Sequence, residues 1–103
     1  MKIKLSEDYT KTPGGRLSST GKYSAETFRD KMLIPKLEEA ISKKEKLIID
    51  FDGLYGCGIS FLEETFGGLI RKGFTIKDIL NNIEFISNED NTIIPNIMKS
   101  IKG

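Results

Sequence analysis

The sequence predicts an α/β fold built as a single small domain. Three observations carry that expectation. Short strand-like apolar runs alternate with amphipathic helical patterns along the chain. The run at residues 47–51 is continuous rather than alternating, as in parallel pairing. The length, 103 residues, suits one core. With 38% hydrophobic and 30% charged residues, the composition fits a soluble globular chain rather than a disordered one.

The elements follow in order. Ile3 and Leu5 alternate with lysines, which predicts a short half-exposed strand. Residues 6–23 are polar and contain Thr12-Pro13-Gly14-Gly15, suited to a type II turn within either a pair of short antiparallel strands or a mobile loop. Ser24 is placed to cap a helix, with Glu26 in its first turn. Phe28, Met32, Leu33, Leu37, Ala40 and Ile41 form the apolar face of that helix. Pro35 predicts a kink or short break near Ile34, because it lacks an N–H and crowds the preceding turn. The helix should end by the Lys43, Lys44, Lys46 cluster, a solvated positive end that suits the helix dipole.

Leu47 to Phe51 reads as a strand covered on both faces, followed by a loop from Gly53 to Ile59. Ser60-Phe61-Leu62-Glu63 fits a capping box, with Ser60 as N-cap. Leu62, Phe66, Leu69 and Ile70 then face the core, and Gly73 ends the helix. Gly67 and Gly68 sit inside it at a cost of about 1 kcal/mol each relative to alanine, so close packing on the sheet is expected there. Thr75 and Asp78 cap a short helix through Leu80, broken at Asn81 and Asn82. Residues 83–87 read as a strand. Ile93, Ile94, Ile97, Met98 and Ile101 describe a last helix, starting near Asp90 or at Pro95.

Sixteen basic against fifteen acidic residues leave no overall field for nucleic acid or an anionic membrane. Histidine is absent, which excludes histidine-dependent nucleophilic catalysis and histidine metal ligands. Cys57 is the one cysteine, so no internal disulfide forms; it lies near a helix start, where a thiol pKa can fall, but reads as a small, partly buried side chain. Met1-Lys2-Ile3-Lys4 has no apolar leader and no run is long enough to span a bilayer, so a cytoplasmic location is expected, with no cofactor or metal.

Asp50-Phe51-Asp52-Gly53 resembles the Asp-x-Asp-Gly motif of haloacid-dehalogenase-like phosphatases. That resemblance implies Asp50 as nucleophile, Asp52 as acid/base and a magnesium ion, with Glu89-Asp90 as a second acidic pair. It spans seven residues, meets Leu54 where threonine or valine is usual, and needs a larger sheet than this chain supplies. The favoured reading of Asp50 and Asp52 is a strand-end polar pair satisfied by backbone amides or solvent.

A longer resemblance covers nearly the whole chain. "LIIDFDGLYGCGISFLEETFGGLI" is similar to the central segment of STAS domains, the sulfate-transporter and anti-sigma-factor-antagonist modules, and especially to small bacterial STAS-like proteins. The matching positions are Asp50, Phe51, Gly53, Leu54, Ser60, Phe61, Glu63 and Phe66-Gly67, with "PGGRL" and "YSAETFRDKMLIPKLEEAI" upstream contributing Arg16, Ser24, Phe28 and Arg29. The resemblance implies a single STAS-like domain over 1–103, with a small mixed sheet and helices mainly on one face. It implies a noncatalytic regulatory module whose Ser60 is a candidate phosphoswitch toward a protein partner, such as a histidine-kinase-like ATPase. The expected contact residues are Arg16, Asp50, Asp52, Gly53, Gly56, Cys57, Gly58, Ser60, Phe61, Glu63 and Glu64.

Two departures stand beside it. Gly58-Ile59 precede Ser60 where antagonists carry Asp-Ser or Ser-Ser, and Glu63 and Glu64 would repel a phosphate. Arg16, with Ser18, Ser19 and Thr20, reads either as an anion site or as a salt bridge to Asp50 or Asp52 that orders the loop. The alternative function is a small-ligand or nucleotide-binding protein that uses Arg16 and the 53–59 glycine loop.

Overall fold

The computed structural model describes residues 1–103, the side chain of Thr20 excepted. Three strands, β1 (Lys2–Lys4), β2 (Leu47–Asp50) and β3 (Ile83–Ile86), form one sheet in the order β1-β2-β3. Both pairings are parallel, where the resemblance implied a mixed sheet. The α/β class holds, and every strand-to-strand connection is a helical crossover, as parallel pairing requires. The possible antiparallel pair in residues 6–23 does not form. A helical turn, α1 (Leu5–Asp8), follows β1 directly, and the rest of the segment is loop with a 3-10 turn at Ser18–Thr20. The left-handed residue there is Gly15 (φ 82°), one position later than a Pro13-Gly14 type II turn would place it.

Register shows which face the helices cover. Ile3, Ile49 and Phe85 are partners in one row, and Leu47 and Ile83 in another. These side chains point into the core. The intervening row is Lys2, Ile48 and Glu84, with both charged residues exposed and Ile48 half-buried. Thus β2 is covered on one face, not two. The continuous apolar run misleads because Ile48 lies on the open face between two charged neighbours rather than under a helix layer.

Between β1 and β2 a long helical segment runs from α2 (Ala25–Phe28) through a π turn at Arg29–Leu33 into α3 (Ile34–Lys43). Ser24 caps it as predicted, accepting from the Thr27 amide. Pro35 produces the expected disturbance as a π turn rather than a break: the widened turn precedes it, and α-helix resumes with proline in the first turn, where its missing N–H is tolerated. Lys44 closes α3 in the left-handed conformation (φ 57°).

The second crossover begins with α4 (Ile59–Leu62), a π turn at Glu63–Gly67 and α5 (Gly68–Arg71) in unbroken succession. Then α6 (Ile76–Asn82) starts at a capping box between Thr75 and Asp78 and extends through both asparagines into β3. The last helix, α7 (Ile93–Lys102), follows an Asp90 that accepts from the Thr92 amide and hydroxyl. Phe28, Leu33, Leu37, Phe61, Leu62, Phe66 and Leu69 are buried against the covered sheet face and one another, at roughly 1.5–3 kcal/mol per side chain.

Candidate functional site

Two surfaces meet at the start of α4. The first is the carboxyl edge of the sheet, where ligands of open α/β sheets commonly sit. There the loop after β2 is tied to the loop after β3. Asp52 accepts from the amides of Asn88 (2.7 Å) and Glu89 (3.0 Å) and from the Asn88 side chain (3.0 Å). The Glu89 amide foremost among these bonds holds the Asp52 carboxyl below the ordinary aspartate range. In return the Gly53 amide donates to Glu89. Gly53 is left-handed (φ 89°), and a Cβ there would meet the Ser6 side chain. Asp50 is buried, accepts from the Asp52 amide at 2.9 Å and faces Lys2 at 3.6 Å. Backbone amides thus engage both aspartates, as the strand-end reading expects.

Between these loops lies a cleft of about 410 Å³ lined by Phe51, Leu54, Tyr55, Gly56, Cys57, Asn88, Glu89, Asp90, Asn91 and Ile93. Its lining includes no lysine or arginine, and Arg16 does not reach it. Cys57 is half-buried there, and its thiol is pushed up to about 12 by burial, with Asp90 adding to the shift. The nearby helix start does not lower it. Among the described residues, no group of three or more His, Cys, Asp or Glu side chains is placed to hold a metal ion, and no helix is long and apolar enough to cross a membrane.

The second surface is the helix start itself. The capping box expected at Ser60 is absent. The N-cap is Gly58, in extended conformation, and Ser60 is the second residue of α4 and is exposed. The Ser-x-x-Glu pattern misleads because Glu63 is drawn away by two arginines. Arg71 donates to it at 2.8 Å, and Arg16 donates to its other oxygen. Arg71, with Arg16 second, holds the Glu63 carboxyl below the usual glutamate range. Ile59, next to Ser60, is 65% exposed, and Tyr55, earlier in the same loop, is 79% exposed. Gly56 and Gly58 are exposed as well, whereas Phe61 is buried beside Phe28 (ring centroids 6.0 Å apart) and offers nothing to a partner.

Arg16 therefore pairs with Glu63 and lies 3.9 Å from Glu64, not with Asp50 or Asp52. The expected ion pair exists with a different partner, 47 residues along the chain. The Arg16 and Gly15 carbonyls accept from the Glu26 and Ala25 amides, which seats this part of the loop on the start of α2. Ser18 binds Glu26 through its amide, so no hydroxyl cradle around Arg16 is seen; the Thr20 side chain lies outside the described residues.

Arg29, matched by resemblance only, turns out to organise the helix pair. Its side chain is 6% exposed and donates to the Glu64 carboxylate (2.7 Å), the Glu64 carbonyl (2.9 Å) and Asp30 (2.8 Å). A Cβ on Gly68 would overlap the guanidinium and lie 3.0 Å from Arg29 Cδ, and one on Gly67 would crowd Glu63, Arg71 and the Ser100 carbonyl. The two helical glycines make room for this charge network and for α7, not for the sheet. An arginine preceding a Gly-Gly pair in a neighbouring helix was the sequence signal for it.

A family model described as a STAS-like domain of unknown function (DUF4325) matches residues 24–92. The match takes in both crossover helices, β2, β3 and the loops that carry Asp52 and Ser60. No curated protein and no solved structure matches the chain.

Proposed function

The chain belongs to the family of STAS-like domains of unknown function, and from that premise we propose that it is a noncatalytic regulatory module that binds a protein partner through loop 53–58 and the start of α4. The observation that carries this reading is the exposure of Tyr55, Ile59 and Ser60 along one loop and helix start. Large apolar side chains this open, grouped on one loop and helix start, suit a contact surface. Two sets of bonds support that surface, those of Asp52 and Glu89 on one side and the buried Arg29–Glu64 pair on the other.

The partner in this reading is an ATPase of the histidine-kinase-like fold, as in anti-sigma-factor regulation, and Ser60 is its phosphorylation site. The Ser60 Oγ–P bond forms as the bond from the γ-phosphorus of ATP to its bridging oxygen breaks. ADP leaves, and the hydroxyl proton passes to a base of the partner. A phosphate there adds about two negative charges in the middle of the contact surface. Phosphosite mapping of the chain purified from its native host tests the switch. A phosphate localised to Ser60, and absent from Ser60→Ala, is expected; a phosphate on another residue alone, or none, counts against it.

The cleft favours a second reading, a small-ligand protein. Its walls carry carboxylates and amides and no cation, so a nucleotide phosphate is a poor fit. A thermal-shift screen with nucleotides and phosphates is expected to show no stabilisation.

A further inference from the structure

A phosphate on Ser60 would stand one helical turn before Glu63 and Glu64, whose charges oppose it. The structure places a cation on that same face. We infer that Arg16 receives the phosphate on Ser60, passing to it from Glu63. This rests on the proposed modification of Ser60 and assigns its intramolecular reader.

Residues three and four apart on a helix are neighbours, about 5–6 Å between Cβ atoms, so Ser60, Glu63 and Glu64 share one strip. Arg16 Nη1 already bonds Glu63 Oε2 and lies 3.9 Å from Glu64 Oε1. The Arg16 side chain is 45% exposed and that of Glu63 33%, so the pair sits in a setting where ion pairs are weak and exchange easily. A guanidinium offers five N–H donors in a fork that fits phosphate oxygens in pairs, and it prefers the doubly charged acceptor. Glu63 is not left unpaired by the transfer, because Arg71 holds its other oxygen at 2.8 Å.

The backbone at Arg16 need not move. Its carbonyl and that of Gly15 stay bonded to the amides of Glu26 and Ala25 while the side chain swings by about one helical pitch, roughly 5.4 Å. The phosphate is then partly neutralised within the chain. The surface beside Ile59 and Tyr55 changes from a hydroxyl to a guanidinium–phosphate pair. Arg71 and Arg29 are committed to Glu63 and Glu64 from elsewhere on the helix pair, and Lys11, 5.9 Å from the Tyr55 ring centroid, makes no ion pair with either glutamate.

The test uses the full chain with phosphoserine installed at position 60 during translation. Phosphorus NMR then follows the second ionisation of the phosphate, ordinarily near pH 6. Relative to Arg16→Gln, the native chain should titrate about half a unit lower or more. Arg16→Lys should recover part of that shift, and Lys11→Gln should match the native chain. Coincident titrations for the native chain and Arg16→Gln would overturn the assignment. The Arg16 Nε–H signal of the otherwise native chain gives a readout that needs no variant. It should shift when the phosphate is present, and an unmoved signal contradicts the transfer. Neither measurement involves a partner, so failure here leaves the partner reading standing, and failure to find a partner leaves this titration unchanged.

Discussion

Two arginines reach the same turn of helix, and their settings differ. Arg29 is 6% exposed, bonded to the side chain and carbonyl of Glu64, with Gly68 clearing its path. Arg16 is 45% exposed and shares Glu63 with Arg71. Removing one partner of a buried pair leaves a desolvated charge behind, at about 3–5 kcal/mol. Removing one partner of an exposed pair costs about 0–1 kcal/mol. The buried arginine therefore holds the two crossover helices together, while the exposed one is bound weakly, as its proposed transfer to a phosphate requires.

The sharpest way to break this comparison is to exchange the buried arginine. Arg29→Ala should lose about 3–5 kcal/mol in denaturant unfolding, and Gly68→Ala, which drives a methyl into the guanidinium, about 1–3 kcal/mol. If both unfold like the native chain, Arg29 is not the organising residue. Arg16→Gln should fall within about 1 kcal/mol of native stability. A loss as large as that of Arg29→Ala would erase the difference between the two sites.

Acid sharpens the comparison by separating Arg71 from Arg16. The folded Glu63 and Asp30 carboxyls lie below their ordinary values, Glu63 through Arg71 and then Arg16, Asp30 chiefly through Arg29. Their contribution to stability is present above the unfolded carboxylate range, about pH 4, and is lost as pH falls through the lower folded values. Carbon NMR of the Glu63 carboxyl should show a larger upward shift in Arg71→Gln than in Arg16→Gln. The reverse order would make Arg16 the principal partner and its transfer to another anion harder. The smallest effect is expected at Thr65, in the π turn between these sites. Its Oγ1 is buried with no hydrogen-bond partner, so Thr65→Val should be neutral or stabilising by up to about 1 kcal/mol in the same unfolding assay.

What was legible in the sequence was local. Ser24, Thr75 with Asp78, and the helical apolar spacing are decided within a few residues, and each formed as read. The Pro35 disturbance was legible too, though its form as a π turn depended on how the helix could widen under packing. What escaped depended on residues distant in sequence. Ser60 fitted a cap pattern, but Gly58 starts the helix and Glu63 is taken by Arg16 and Arg71. Ile48 looked buried until register placed it between Lys2 and Glu84. Gly67 and Gly68 were recognised as costly, yet their reason lay in Arg29, Arg71 and the backbone of α7 rather than in the sheet.

The central claim is that the surface around Ile59 and Ser60 takes a protein partner. Co-expression with a histidine-kinase-like ATPase encoded beside the gene, followed by size-exclusion chromatography, tests it directly. The account predicts a stable complex with the native chain that is lost in Ile59→Asp, a substitution at an exposed side chain that should leave the fold intact. No complex with the native chain, or one that Ile59→Asp leaves unchanged, would contradict it.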